Sequence, residues 1–488
     1  MTDNRRYIIN IFSLALTLTG FSTIPSAVAS LVFKEALVGY TLSAAMVVCV
    51  GAGIVLRSFR GRISGDIRPR VMLMAVVFTW LLMIGISSLV FYFAAPGISV
   101  ADAFMESCAS WTGTAASTFS SEILPASLML YRSTLNWLGG VGIVLLCLSV
   151  IGSGRYVGAG LAAFEFPGPD FLKDRADFRG NYRKVFMVYV IFTLVQFIML
   201  AAGGMPIYTS MLSALSNSAS AGLHHINNSV IISMPAYIKA VLALFALLGS
   251  ANSLIFIYLF KGQFAEIKNS SELKFRTGRI AFSIAAVCII ITAANPAQNV
   301  LKTIGDSAVQ VISFLSTSGF IAADMSTWPQ ACTILILLQL FIGGSAFSTS
   351  GGFKDARLIV AFKSIAYTLY RHIHPNSVRT LSFDKKPIKS DRAVSANLFI
   401  ALFMITYLLG ALLLSIDNIG IYESLVYAQA MITCTGTCIG GTSASDLVIG
   451  FSSFSKFVMG ILMICGRLEI YPLLMLFFRG FWKSDASL

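Results

Sequence analysis

The sequence predicts an all-α integral membrane protein. Two lead helices precede four membrane–pore loop–membrane repeats around a pseudo-fourfold central pore. Three observations predict this. Of 488 residues, 56% are apolar and 12% are charged, and a soluble domain carries about twice that charged fraction. Four glycine- and hydroxyl-rich stretches interrupt the apolar sequence: Ser110–Ser121, Ser216–Asn228, Ser316–Ser326 and Thr433–Ser445. Each follows an apolar segment too short to span a bilayer and precedes one long enough to do so. Irregular backbone at membrane depth is tolerated only inside protein or along a water-filled path. Rings of backbone carbonyls on such loops replace an ion's water shell.

A hydrocarbon core of roughly 30 Å needs about 20 apolar residues per helix. Such spans fall near 8–31, 36–56, 71–95, 133–153, 184–204, 236–260, 277–295, 329–349, 394–416 and 454–478. The first is too long for a signal-peptide core and lacks a small-residue cleavage site, so it reads as a retained helix. Residues 1–60 thus form two lead helices. Repeats follow at 71–153, 184–262, 277–372 and 393–482. Their short helices are expected over 101–112, 206–217, 304–315 and 421–432.

Charge sets the orientation. Of 35 Lys and Arg residues, 29 fall within 5–6, 57–70, 155–184, 261–279, 354–392 and 479–483. The opposite loops hold Lys34, Arg132, Lys239, Lys302 and Lys456. The positive-inside rule places both termini and the basic loops in the cytoplasm, with all four polar loops outside. The net charge of +13 then describes inner loops beside anionic membrane lipid rather than a nucleic-acid surface.

The loops carry Ser, Thr, Gly, Ala and Asn and almost no formal charge. Neutral oxygen dipoles suit a monovalent cation that must bind and then leave, whereas a divalent site wants several carboxylates. Asp102, Glu106, Asp306 and Glu423 lie in the short-helix regions and either concentrate cations or act as solvated helix-start residues. The latter is favoured for Asp102 and Asp306. Most of the eight cysteines read as small buried hydrophobes. His224 and His225 lack a surrounding zinc motif, and Cys434 and Cys438 lack a second pair, so an enzyme is not expected. No cofactor is expected on this chain; the ion is its substrate.

"NWLGGVGIVLL" (Asn136–Leu146), "STSGFIAADMSTWP" (Ser316–Pro329), "GGSAFSTSGGFK" (Gly343–Lys354) and "GRLEIYPLL" (Gly466–Leu474) carry a resemblance. They resemble the Trk/Ktr/HKT superfamily of cation transporters, in particular its TrkH-type potassium uptake branch. The resemblance covers nearly the whole chain, lead helices included. It implies one filter loop per repeat, each with a central glycine. Matched residue by residue, those glycines are Gly222, Gly319 and Gly440, with Gly441 a neighbouring possibility for the last. Carbonyls just before them would line the path, which nominates Ser220, Ala221, Thr317, Ser318, Cys438 and Ile439. In the first loop Ala115 stands at the glycine position, after Thr114, with Gly113 the alternative. Alanine pays a Cβ penalty at positive φ. In related plant transporters a non-glycine residue there accompanies sodium permeation, which makes sodium the alternative substrate.

The segment Ile342–Phe353 would break the second span of repeat three, because its glycines and serines disfavour helix. The resemblance makes 342–353 an intramembrane gating loop beneath the filter. Gly343, Gly344, Ser348, Thr349, Gly351, Gly352 and Lys354 are its gate residues, and Arg467 stands beside it at the constriction. An arginine there would repel cations in low dielectric. Two other readings are open: a close-packed small-residue helix face for 343–352, and an ion pair between Arg467 and Glu469.

The function expected is gated transport of monovalent cations, foremost potassium uptake. A sodium-permeable or poorly selective transporter is the alternative, followed by an ion-coupled carrier. A carrier should show intramembrane carboxylates, and the spans show almost none. The resemblance also implies a homodimer in a bacterial inner (plasma) membrane. It implies docking of cytoplasmic nucleotide-binding regulatory subunits of the TrkA/KtrA type onto loops 154–183 and 363–392.

Overall fold

The computed structural model describes residues 3–478, except 60, 62–66, 68, 96, 120–123, 151–177, 298, 376–380, 385, 389, 438–447 and 449. The chain begins with a hairpin of helices. Asp3–Ser22 and Ile24–Val32 are separated at Thr23, with a proline in the first turn of the second, a common cause of a kink. Ala36–Ser58 returns antiparallel. Ser13 Oγ donates to the Gly53 carbonyl at 2.8 Å, holding the two helices together.

Each repeat then places a short helix between a long first helix and a second segment, which in repeats two, three and four is broken in two. In repeat one these are Pro69–Ala94, Val100–Thr112 and Ala126–Val150. In repeat two, Phe178–Ala202 and Ile207–Ser218 precede Ala236–Gly249 and Ser253–Phe260. In repeat three, Ser271–Ala294 and Val300–Leu315 precede Gln330–Ile342 and Asp355–Ile373. In repeat four, Ser390–Leu414 and Ile421–Ile432 precede Ser453–Arg467 and Tyr471–Met475. Two of the four short helices start at polar side-chain caps, and the other two start at Pro206 and Gly420. Ser99 and Asp102 form a reciprocal capping box, and Asn299 accepts from the Leu301 amide, each satisfying an orphan N–H.

Six helices among the described residues are long and apolar enough to cross a membrane. The protein is an integral membrane protein. Its broad core joins the lead hairpin, repeat one and repeat four around Trp80, Trp111, Tyr131 and Phe399. Trp111 Nε1 and Tyr131 OH both reach Ser87 Oγ, at 2.9 and 3.1 Å.

The structure corrects three expectations. The spans expected at 236–260 and 454–478 are not continuous: both break, as 329–349 does. In the first, Ser250 Oγ donates back to the Ala246 carbonyl and Arg276 claims the Ser250 carbonyl. In the second, Glu469 and Ile470 adopt φ of 60° and 62°, and Glu469 is held by Arg357. Tertiary contacts, a hydrogen bond in the first case and an ion pair in the second, thus override helix propensity.

Second, several charges counted as loop residues lie inside helices. Arg132 belongs to Ala126–Val150 and is fully buried. Lys239 and Lys456 belong to Ala236–Gly249 and Ser453–Arg467. Arg276, Arg279 and Arg357 are also buried. Third, carboxylates are present at depth. Glu106, Asp355 and Glu469 each form an ion pair with arginine. Glu272 accepts from Asn252 at 2.8 Å and the Ala346 amide at 2.6 Å.

Candidate functional site

The four polar loops repeat one backbone turn. A residue with left-handed φ follows each short helix: Gly113 (73°), Ser220 (56°), Thr317 (60°) and Cys434 (56°). Two positions later stand Gly222 (71°), Gly319 (69°) and Gly436 (75°). Ala115 occupies that register position in the first loop and takes no positive φ. The register places Gly436 where the sequence reading put Gly440. Cys438, Ile439 and Gly440, with Gly441, lie outside the described residues. A usable signal was present. Gly222 and Gly319 stand four residues beyond the last helical residue, Ser218 and Leu315. The same count from Ile432 reaches Gly436. The double glycine of "GTCIGG" drew the match away from it.

The loops close into a ring in chain order. A Cβ on Gly222 would strike the Ser318 carbonyl, and one on Gly319 would strike Thr435. A Cβ on Gly436 would strike the Ala116 amide and come within 2.6 Å of the Ala115 amide. The ring's fourth contact lies between Ala115 and Gly222: the Ala115 Cβ is 2.8 Å from where a Gly222 Cβ would stand. Two things favour glycine at these positions, the φ value and the close neighbours: backbone at Gly222 and Gly436, and the Thr435 and Thr437 side chains at Gly319. A cavity of about 30 Å³, room for roughly one water, opens beside the ring. Ala115, His224, Phe320 and Thr437 line it, one from each loop.

Loop three returns the Gly319 amide to its own helix at Ser313, 3.0 Å away, and loop four returns Gly436 to Ala430 at 2.9 Å. Loop one does not. The Ala115 amide donates sideways to the Thr435 carbonyl at 3.1 Å. Of the nominated carbonyl positions, Ala221 and Ser318 each directly precede a left-handed glycine. Thr114 and Thr435 are their counterparts. The histidines sit behind loop two: His225 Nε2 is 3.0 Å from Ser213 Oγ and His224 Nδ1 is 3.5 Å from Asn136 Nδ2.

Beneath the ring lies the interruption of repeat three. Gly343 (φ 69°) and Gly352 (φ 82°) face each other at its neck. Phe353 and Lys354 amides donate across that neck to Phe341 and Ile342 at 2.8 and 2.9 Å. Gly344 packs against Ser350 and the Ser250 carbonyl. The open reading of 343–352 as a helix face is thereby excluded. The loop touches three of the four polar turns. Thr349 Oγ1 and Ser220 Oγ share a 2.9 Å hydrogen bond. The Gly351 amide donates to Thr317 Oγ1 at 3.0 Å, and its Cα abuts the Thr433 carbonyl.

Arg467 spans this assembly. Its Nη1 donates to the Thr349 carbonyl at 2.7 Å, and its Nη2 to the Gly139 and Gly140 carbonyls at 2.7 and 3.2 Å. Arg467 is therefore not the partner of Glu469, which pairs with Arg357. Lys354 is buried, and its Nζ donates to the Ser350 carbonyl and, at 3.4 Å, to the Ser348 carbonyl and hydroxyl. It satisfies the loop's own oxygens. Sequence reasoning missed the anchors below. Arg279 Nη2 contacts Asp355 at 3.0 Å and the Gly343 carbonyl at 2.6 Å. Arg276 reaches Ser345 Oγ at 3.2 Å. Asp102, read as a solvated helix-start residue, is the third helical residue of the capping box, its carboxylate accepting from the Ser99 amide at 3.1 Å, and it also pairs with Lys456 at 2.7 Å.

A pseudo-fourfold ring of re-entrant loops among membrane-crossing helices, with one helix interrupted beside it, is the architecture of a membrane transport protein for small ions. The family model described as "TrkH: Cation transport protein" matches residues 40–485, and the chain belongs to that family. Membership makes it a transport protein rather than an enzyme. It is 26% identical to "Trk system potassium uptake protein TrkH" of Salmonella typhimurium, over 96% of this chain and 98% of that one. It is also 26% identical to "Trk system potassium uptake protein TrkG" of Escherichia coli, over 99% of this chain and 100% of that one. The crystal structure of the potassium transporter TrkH from Vibrio parahaemolyticus shares the fold. Its TM-score is 0.85 at 22% identity, covering 98% of this chain and 99% of that chain.

Proposed function

We propose that this chain carries potassium into the cell through the ring formed by Gly113–Ala115, Ser220–Gly222, Thr317–Gly319 and Cys434–Gly436. The observation that carries the reading is the shared turn, a left-handed residue followed two positions later by glycine, in three loops of four. Such turns aim consecutive carbonyls to one side, the chemistry that replaces a potassium hydration shell. Both curated relatives named above bear potassium uptake in their names. The loop 343–354 and Arg467 act as the gate. The plug occludes the path below the ring, and the guanidinium ties its apex to repeat one.

Sodium is the second reading, favoured by one observation. Ala115 does not take the glycine conformation, so the first quarter presents its carbonyl differently. An ion-coupled carrier is the third reading. Three of the four carboxylates buried among the described residues do not favour it, because Glu106, Asp355 and Glu469 are already neutralised by arginine; the fourth, Glu272, is held by Asn252 and the Ala346 amide.

The working form in this proposal is a homodimer in a bacterial inner membrane with cytoplasmic termini. Nucleotide-binding subunits of the TrkA/KtrA type dock on inner loops 154–183 and 363–392. Rubidium and sodium uptake into proteoliposomes tests the transport reading. Saturable uptake that requires a proton or sodium gradient would favour the carrier instead. Cysteine labelling of whole cells tests the topology: a probe near residue 227 should react and one near 268 should not.

A further inference from the structure

The first quarter of the ring has a support that no other quarter shows among the described residues. Seven residues before the left-handed residue of each loop stand Glu106, Ser213, Gln310 and Tyr427. Glu106 and Gln310 do the same job. Glu106 accepts from the Thr118 amide at 3.1 Å, and Gln310 accepts from the Ala322 and Ala323 amides at 3.0 and 3.3 Å. Each ties the chain leaving the loop back to its short helix. Glu106 alone is charged, and Arg132 pairs with it at 2.5 Å.

Arg132 also has a neutral counterpart elsewhere. It lies seven residues before Gly139, which packs on the Trp111 backbone. Gly249 and Gly466 pack likewise on Ser218 and Ile432. Seven before them stand Leu242 and Met459. Both members of the pair are 0% exposed. The other guanidinium nitrogen of Arg132 donates to the Thr114 carbonyl at 3.3 Å and to the Ala116 carbonyl. Thr114 is the first-loop counterpart of Ala221 and Ser318. A permanent positive charge is thus bonded to the oxygen that the ring needs for its ion.

We propose that Arg132, held by Glu106, is a specificity-determining positioning residue of the first quarter. Its guanidinium tethers the Thr114 and Ala116 carbonyls and raises the electrostatic potential at the ion's site. A stripped potassium ion loses more from a missing carbonyl than a sodium ion that keeps some of its waters. The pair therefore lowers discrimination in favour of potassium, independently of the Ala115 methyl. This inference rests on the four-loop pathway proposed above.

The test is the double variant Glu106→Gln/Arg132→Leu, which copies the neutral groups of repeats three and two and leaves no unpaired charge. Purified parent and variant are compared by reversal potential in bilayers with potassium on one side and sodium on the other. The variant should raise the potassium-to-sodium permeability ratio roughly threefold or more. An unchanged or lower ratio in folded variant protein overturns the proposal. If the double variant does not fold, Arg132→Lys is measured. Lysine keeps the charge but not the planar fork that reaches both carbonyls, so the ratio should still rise, and no rise overturns the proposal. A parent that passes no cation at all counts against the pathway rather than against the role of Arg132.

Discussion

The Ala115 amide donates to the Thr435 carbonyl at 3.1 Å, fastening the first polar loop to the fourth. Where Gly319 and Gly436 send their amides back to their own short helices, Ala115 spends its own on a neighbour. The accepting oxygen directly precedes Gly436, in the register that the proposed pathway uses for coordination. One residue identity thus alters two adjacent quarters of the ring. A methyl at Cβ disfavours the left-handed turn by roughly 1–2 kcal/mol. The backbone avoids that cost and finds a lateral partner.

Gly436 is expected to be the sensitive glycine of the fourth loop. Gly436→Ala places a methyl against the Ala115 and Ala116 amides at a φ of 75°. Cation flux in proteoliposomes should fall at least about tenfold, the effect of a roughly 1.4 kcal/mol loss at the bottleneck. Gly440→Ala should cost much less. Equal losses, or a larger loss at Gly440, would restore the glycine choice made from sequence.

Arg467→Ala should raise flux. The variant loses the bonds to Thr349, Gly139 and Gly140 that hold the loop of the proposed gate, and it removes a fixed positive charge. The accompanying readout is protease or thiol accessibility at Ser348→Cys, which should increase as the loop loosens. Folded Arg467→Ala protein that conducts no more than the parent would make the guanidinium a structural brace.

Glu35 offers a stability prediction for the lead hairpin. Its carboxylate accepts from the Ala126 and Ser127 amides at 2.8 and 3.0 Å, capping the second long helix of repeat one from outside that repeat. Glu35→Ala leaves those amides unpaired, costing about 1 kcal/mol. The thermal midpoint in detergent should fall by about 1–3 °C. An unchanged midpoint would mean water replaces the carboxylate.

Much of this architecture is legible in the sequence because it rests on local signals. Long apolar runs, polar loops and short helices are one-dimensional patterns, and all four short helices fall within a few residues of their expected bounds. The interruption at 342–353 was legible for the same reason, since its glycines carry it. What was not legible depends on contacts far apart in the chain. The break at Ser250 needs Arg276, 26 residues on, and the one at Glu469 needs Arg357, 112 residues back. Arg132 looked like a loop charge because its partner Glu106 lies in another element. Gly436 takes the register of Gly222 and Gly319, a match visible from the count to the helix end and obscured in the sequence by the double glycine nearby.

The central claim is that four loops form one cation path whose preference is set at the first quarter. Reversal potentials of the parent and of Ala115→Gly, with potassium on one side and sodium on the other, test it most directly. The account predicts a parent potential near zero. It predicts that Ala115→Gly, free to adopt the left-handed turn and release the Thr435 carbonyl, shifts the potential toward potassium. A parent that already excludes sodium strongly, or a variant with an unchanged potential, would contradict it.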